Sequence, residues 1–250
     1  AMSNPDDYGE LSNESDAPFV QDKGSFDALE AFYTVGDNND VFLRKLKELK
    51  TKYGSIRTIR GDGNCFYRAY AFAIFESLIN NVEGAKATKG KFEGIFKKLT
   101  GEGGLGYQAD AIEMFYDECI NPLDEMIAGT YSADKLMTTF GEYQYSNAIV
   151  FFMRLVCSCY LQAEEDQFAP FLMGEGLTVK QFVTAEVEPL EKEVEQLQII
   201  GLCQAMGVPL RIEYLDRSDG PVNHHDFPEG GDPEIFLLYR PGHYDLLYRS

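Results

Sequence analysis

Apolar residues recur every third or fourth position through roughly the first two-thirds of the chain, and every second position after residue 210. Leu43, Leu46, Leu49 and Tyr53 share one helical face behind the polar start signal Asp37-Asn38-Asn39-Asp40. Phe66, Tyr70, Ile74 and Leu78 mark a helix opening at Cys65, with Ala69, Ala71 and Ala73 small enough for close neighbours. Phe92, Ile95, Phe96 and Leu99 mark another. Ile112, Phe115, Tyr116 and Ile120 begin a further helix, which Pro122 is expected to end or kink. Ser132 and Ser146 suit N-caps ahead of Leu136/Phe140 and Ile149/Val150/Met153. The apolar stretch from Ala148 to Leu161 carries Arg154 and falls short of the ~20 residues a bilayer span needs, so it reads as a buried helix. Thr178 and Gln181 fit a capping box, and a helix through Ile199, Cys203 and Met206 stops at Gly207.

The period then changes. Leu210, Ile212 and Tyr214 alternate with Arg211 and Glu213, a strand signature. Residues 216–233 read as a polar loop, and two apolar runs flanking Pro241-Gly242 read as a hairpin from Ile235 to Arg249. The expected class is α+β, a helical N-terminal two-thirds followed by a small, mostly antiparallel C-terminal sheet.

With 44% hydrophobic and 13% aromatic residues among 250, the chain can build a substantial core. Residues 1–24 are acidic and lack periodicity, so they are expected to form a flexible tail, with residues 25–250 one globular domain. Ala1-Met2 reads as a remnant ahead of a native start, and the polar N-terminus shows no signal peptide. Five cysteines form no framework spacing, which favours free thiols in a reducing compartment. A formal net charge of -19 repels nucleic acid and anionic membranes and suits a basic partner, although such a balance is also ordinary for a soluble protein.

Chemistry concentrates at two places. Gly61-Asp62-Gly63-Asn64 is a turn with little side-chain bulk, and Cys65 follows it at a helix N-terminus. The positive end of a helix favours the thiolate, the nucleophilic form. Backbone N–H groups of the turn could face a substrate carbonyl as an oxyanion hole. Near the end of the chain, His243 and Asp245 lie two apart in a strand and project from one face. A carboxylate there holds an imidazole in one tautomer, the third role of a triad. On these residues alone, a small buried cysteine at a helix start and a strand-end histidine satisfied by Asp245 remain open readings.

Asp62-Gly63-Asn64-Cys65-Phe66-Tyr67-Arg68-Ala69 and Tyr239-Arg240-Pro241-Gly242-His243-Tyr244-Asp245 resemble the two signature blocks of the ovarian-tumour-type deubiquitinases, and within them the otubains. Lys52-Tyr53-Gly54-Ser55-Ile56-Arg57, the run from Val183 to Pro189, and Phe227-Pro228-Glu229-Gly230 extend the likeness from about residue 33 to the end, nearest to the larger otubains. The resemblance implies a papain-like cysteine protease fold and hydrolysis of ubiquitin isopeptide bonds without a cofactor. It implies Cys65 as nucleophile, His243 as general base and Asp245 as its orienting acid, with Asp62, Gly63, Asn64 and Cys65 as the oxyanion loop. Asp62 also suits a helix cap. The resemblance further implies chains joined through lysine forty-eight of ubiquitin as substrate, and a cytoplasmic location with the nucleus a second candidate.

Two departures qualify it. Gly61 stands where relatives carry proline, which predicts a more mobile oxyanion loop, and the segment before residue 33 does not match the family's helical N-terminal arm, which grips proximal ubiquitin and ubiquitin-conjugating enzymes. The rival reading is a binding protein that blocks charged conjugating enzymes without using the thiol; a third is a peptidase for another ubiquitin-like modifier. Cys157-Ser158-Cys159 lacks a histidine partner and His224-His225 lies in the polar stretch, so neither is expected to hold a metal.

Overall fold

The computed structural model describes residues 17–35 and 39–250. The described residues divide into two compact units, one of those up to Tyr70 with Val208–Ser250 and one of Ala71–Gly207.

Among the described residues the first unit holds six strands: β1 (Val20–Gly24), β2 (Tyr53–Ile59), β3 (Leu210–Tyr214), β4 (Asn223–Phe227), β5 (Ile235–Arg240) and β6 (His243–Arg249). They form one sheet in the order β1-β2-β6-β5-β3-β4, antiparallel throughout except for the parallel pair β3 and β5. The expected hairpin is present, turned at Gly242 with φ +75°. The sheet is nevertheless not confined to the C-terminal part, because β1 and β2 come from the N-terminal end. In β2 the buried positions Tyr53, Ile56 and Ile59 fall three apart around a register shift, so the strand mimics helical spacing. Tyr53 therefore starts a strand instead of continuing the helix before it. β1 lies inside the expected tail, whose remaining residues 1–16 are outside those described. β4 lies inside the expected polar loop and contains His224 and His225. Both β1 and β4 are edge strands with mostly solvated side chains, which do not need apolar alternation.

Helices α1 (Asp27–Thr34) and α2 (Asp40–Lys52) cover this sheet. Phe26, Leu29, Tyr33, Phe42, Leu46 and Leu49 form one buried cluster with Tyr53, Ile56, Phe236, Leu238 and Leu247 of the strands. The Tyr33 and Phe42 rings stack at 4.5 Å, joining the two helices. α2 begins after Asn39, at the expected start signal; Asp37 and Asn38 of that signal lie outside the described residues.

Helix α3 (Cys65–Leu78) begins in the first unit and ends in the second. The second unit continues with α4 (Val82–Thr100), α5 (Ala109–Ile127), α6 (Ala133–Gly141), α7 (Tyr143–Ala163), α8 (Glu165–Leu172), α9 (Val179–Phe182), a π-helical turn (Val183–Val187) and α10 (Gln196–Met206). α5 does not end at Pro122, the first of the two expected outcomes, but continues to Ile127. A proline costs a helical hydrogen bond, but Cys119, Ile120, Leu123 and Met126 are buried and the helix packs on α4 and α7, and packing outweighs propensity. Ser132 caps α6 by accepting from the Lys135 N–H, whereas Ser146 lies a turn inside α7 and is buried. α7 has the length and composition of a membrane span, yet 72% of its apolar window is buried. Its Arg154 donates to the carbonyls of Val187 at 3.0 Å and Lys192 at 2.8 Å, fastening the chain that follows α9. The Thr178–Gln181 capping box forms, and Gly207 at φ +66° ends α10.

Candidate active site

Between β2 and α3 the chain makes a tight turn that local chemistry fixes. Gly63 takes φ +71°, a left-handed backbone open to glycine without steric cost. Asp62 Oδ1 accepts from the Asn64 N–H at 3.0 Å and from Arg68 Nη1 at 2.8 Å. The Arg68 N–H donates to the Asn64 carbonyl at 3.0 Å, the first bond of α3. Asn64 and Cys65 are buried, so the thiol stands at a helix start shielded from bulk water, where the helix dipole favours an anion.

The second half of the site comes from the β5–β6 hairpin. Residues Arg240 and His243 pair across its turn, and Leu238 pairs with Asp245. His243 and Asp245, two apart in β6, face the same side. His243 Nε2–H donates to Asp245 Oδ1 at 2.7 Å, and the same ring hydrogen-bonds Cys65, which leaves Nδ1 for the thiol. The Phe66 ring meets Tyr244 edge to face at 5.4 Å, which seats the first turn of α3 against β6.

Asp245 is 1% exposed, and an unpaired carboxylate there would be prohibitively costly. It is not unpaired. Besides His243, Oδ1 accepts the Ile59 N–H of β2 at 3.0 Å, and Oδ2 accepts Arg240 Nη2 at 2.8 Å and Nε at 3.2 Å. Burial alone would raise the Asp245 pKa; the charges of His243 and Arg240, with these hydrogen bonds, hold it well below the usual carboxylate range. For His243 burial works toward the neutral ring, but the Asp245 charge and hydrogen bond, then Cys65, push its pKa up to about 9. The raised pKa favours the imidazolium, the form that can give a proton to a leaving amine.

Of the residues expected to act, Cys65, His243 and Asp245 are brought together. Asp62 turns its carboxylate to Arg68 and Asn64, so its side chain braces the turn; it does not bond the N–H groups inside α3. Arg240, Arg68 and Ile59 were not assigned roles from sequence. Arg240 was discoverable in principle, because a buried carboxylate with a histidine donor still has an oxygen to satisfy. Cys157 and Cys159 are buried in α7, Cys157 donating to the Gln198 carbonyl at 3.4 Å, and His225 packs edge-on against Tyr214. Among the described residues no group of three His, Cys, Asp or Glu side chains could hold a metal.

A protein-family model, Peptidase C65 Otubain, matches residues 12–249. The match takes in residues 12–32, which the motif resemblance leaves out. The ubiquitin thioesterase OTUB1 of Homo sapiens is 38% identical over 233 residues, covering 93% of this chain and 83% of that protein. The ovarian tumor domain-containing deubiquitinating enzyme 1 of Arabidopsis thaliana is 36% identical over 252 residues, covering 92% and 81%. Among solved structures, a ceOTUB1–ubiquitin aldehyde–UBC13~Ub complex superposes with TM-score 0.88 at 34% identity, covering 94% of this chain and 95% of the other. A complex of h/ceOTUB1 with ubiquitin aldehyde and UBCH5B~Ub gives 0.85 at 35%, covering 94% and 91%. The chain belongs to the otubain family of cysteine peptidases.

Proposed function

We propose that this chain is a cytoplasmic deubiquitinase that hydrolyses isopeptide bonds in ubiquitin chains, with chains joined through lysine forty-eight of ubiquitin as the preferred substrate. The observation that carries the reading is the buried array in which one imidazole bonds both Cys65 and Asp245. Cys65 attacks as thiolate at the carbonyl carbon of ubiquitin's terminal glycine. The oxygen of the tetrahedral intermediate takes its negative charge toward backbone N–H groups of the turn from Asp62 to Cys65 other than that of Asn64, which Asp62 holds, and one such donor is worth on the order of 3 kcal/mol in known cases. As the C–N bond breaks, the His243 imidazolium gives its proton to the leaving lysine amine, and a thioester remains on Cys65. Water then attacks the thioester, His243 takes a proton from it, and ubiquitin leaves with a free carboxylate. Asp245 keeps one tautomer of His243 throughout, and Arg240 keeps Asp245 charged.

A second reading is favoured by the structural likeness to complexes that contain a charged conjugating enzyme, UBC13~Ub. In that reading the chain also binds such enzymes and blocks transfer without using the thiol. Incubation of wild type and Cys65→Ala with di-ubiquitins of every linkage, read by gel, separates the two. Cleavage by wild type alone, led by the forty-eight linkage, is the expected result. A folded wild type that cleaves none would sink the hydrolytic reading, and a different leading linkage would sink the preference. Suppression of conjugation that survives in Cys65→Ala would support the second role.

A further inference from the structure

Strand β1 is paired at one edge of the sheet, and the residues just before it reach the catalytic turn. Phe19 is 4% exposed although it precedes a mostly solvated strand. Its carbonyl accepts the Arg60 N–H at 2.9 Å, and Val20 pairs with Ile59. Those backbone contacts hold the Phe19 ring beside two cations. The Arg60 guanidinium lies 3.4 Å from the ring centroid and that of Arg68 lies 4.5 Å from it. Arg68 is fully buried and has Asp62 as its ion-pair partner at 2.8 Å. Asp62 Oδ1 in turn holds the Asn64 N–H. A continuous set of contacts therefore runs from β1 to the residue before Cys65.

We propose that Phe19 is a positioning residue for the turn that carries Cys65. Its ring backs the Arg68 guanidinium, and Arg68 fixes the Asp62 carboxylate that sets the Asn64 N–H. A buried guanidinium without its aromatic wall has room to tilt, and Asp62 moves with it. The turn supplies both the thiol's backbone and the oxyanion donors, so a shift of an ångström there is expensive. The same arrangement gives the Asp62 turn a rigidity that Gly61 by itself would not supply. The N-terminal segment thereby becomes part of the site on a substrate with only one ubiquitin, whatever further role it has toward larger partners.

The test rests on the deubiquitinase reading for one of two readouts. Wild type, Phe19→Leu, Phe19→Tyr, Arg68→Met and the Phe19→Leu/Arg68→Met double variant are compared on a ubiquitin C-terminal fluorogenic amide and, separately, in the rate of Cys65 alkylation by iodoacetamide read by peptide mass spectrometry. Thermal unfolding identifies folded variants, and Phe19→Met replaces Phe19→Leu if that variant does not fold. In Phe19→Leu, kcat is expected to fall on the order of 10-fold with KM changed less than about 2-fold, and alkylation to slow in parallel. Phe19→Tyr keeps the ring face and is expected to stay within about 2-fold of wild type. Phe19→Leu should add little to Arg68→Met, because both act through one guanidinium. A folded Phe19→Leu with both rates unchanged, or a loss that adds in full to that of Arg68→Met, would overturn the proposal. A wild type alkylated at Cys65 that cleaves no ubiquitin substrate would overturn the deubiquitinase reading and leave the alkylation rates to judge Phe19.

Discussion

Asp245 shows how much one side chain can be asked to hold. Its two oxygens accept from β2, β5 and β6, through the Ile59 N–H, Arg240 and His243. The charge on Asp245 is what raises His243 against the cost of burying it, so the two titrations are one property of the site. The sign follows from the direction of each shift. His243 has a folded pKa of about 9, above its ordinary 6.5, so the stability it contributes is complete below 6.5 and is lost as pH rises through 9. Asp245 is lowered, so its contribution is present above the ordinary carboxylate value and is lost as pH falls through its folded value. For activity, the basic limb of kcat/KM is expected near pH 9, where the imidazolium proton needed by the leaving amine is lost. In Asp245→Asn the limb should move toward acid by at least about one unit and the plateau should fall, measured on a ubiquitin C-terminal amide across pH. The same limb in both proteins would remove Asp245 from the account of His243. At this scale the sequence was most informative where spacing alone decides geometry. His243 and Asp245 had to share a face, and Cys65 had to start a helix. Arg240 was passed over because its partner lies across a turn, and residue spacing does not say which side chain will satisfy a buried oxygen.

At the scale of elements, helices α1 and α2 matter because they cover the face of the sheet that carries Tyr53, Phe236 and Leu238. Phe42 is fully buried and its ring lies flat against Tyr33, so it joins both helices to the strands. Phe42→Ala is expected to cost about 3–5 kcal/mol of unfolding free energy, measured by urea denaturation, through lost apolar burial and an unfilled cavity. A cost below about 1 kcal/mol would mean that the helices repack or contribute little to the first unit. The helices were the most legible elements, since most bury apolar residues at a repeating spacing, although α3 and α7 are buried on nearly every face. The starts at Cys65 and Thr178 and the stop at Gly207 were legible as well, because caps are local chemistry. What failed were the elements whose reasons lie elsewhere in the chain. β1 and β4 exist because a neighbouring strand offers free N–H and C=O groups, and their own side chains carry almost no signal of it. α5 does not end at Pro122 because the apolar residues beside it are buried, so of the two expected outcomes only an end is excluded.

For the whole molecule, the charge is the one property that needs no structure, since 22 basic and 41 acidic residues sum to -19 in any conformation. Its physical consequence is a field felt beyond contact distance. The tail of ubiquitin is basic and ends in two glycines, so under the proposed function that field draws in the segment to be cleaved. Attraction of this kind acts on approach and not on the settled complex, so it belongs to the association rate. The Debye length shrinks from roughly 10 Å at 0.1 M salt to 3 Å at 1 M, which leaves contact pairs largely intact while removing the longer reach. Stopped-flow binding of labelled ubiquitin to Cys65→Ala, between about 0.05 and 0.5 M salt, is therefore expected to show association slowing on the order of 10-fold with dissociation changing much less. If both rates change together, the charge acts within the complex, through ion pairs at the interface. If association is flat across the range, the excess of acid serves solubility alone, and the field does not steer the ubiquitin tail.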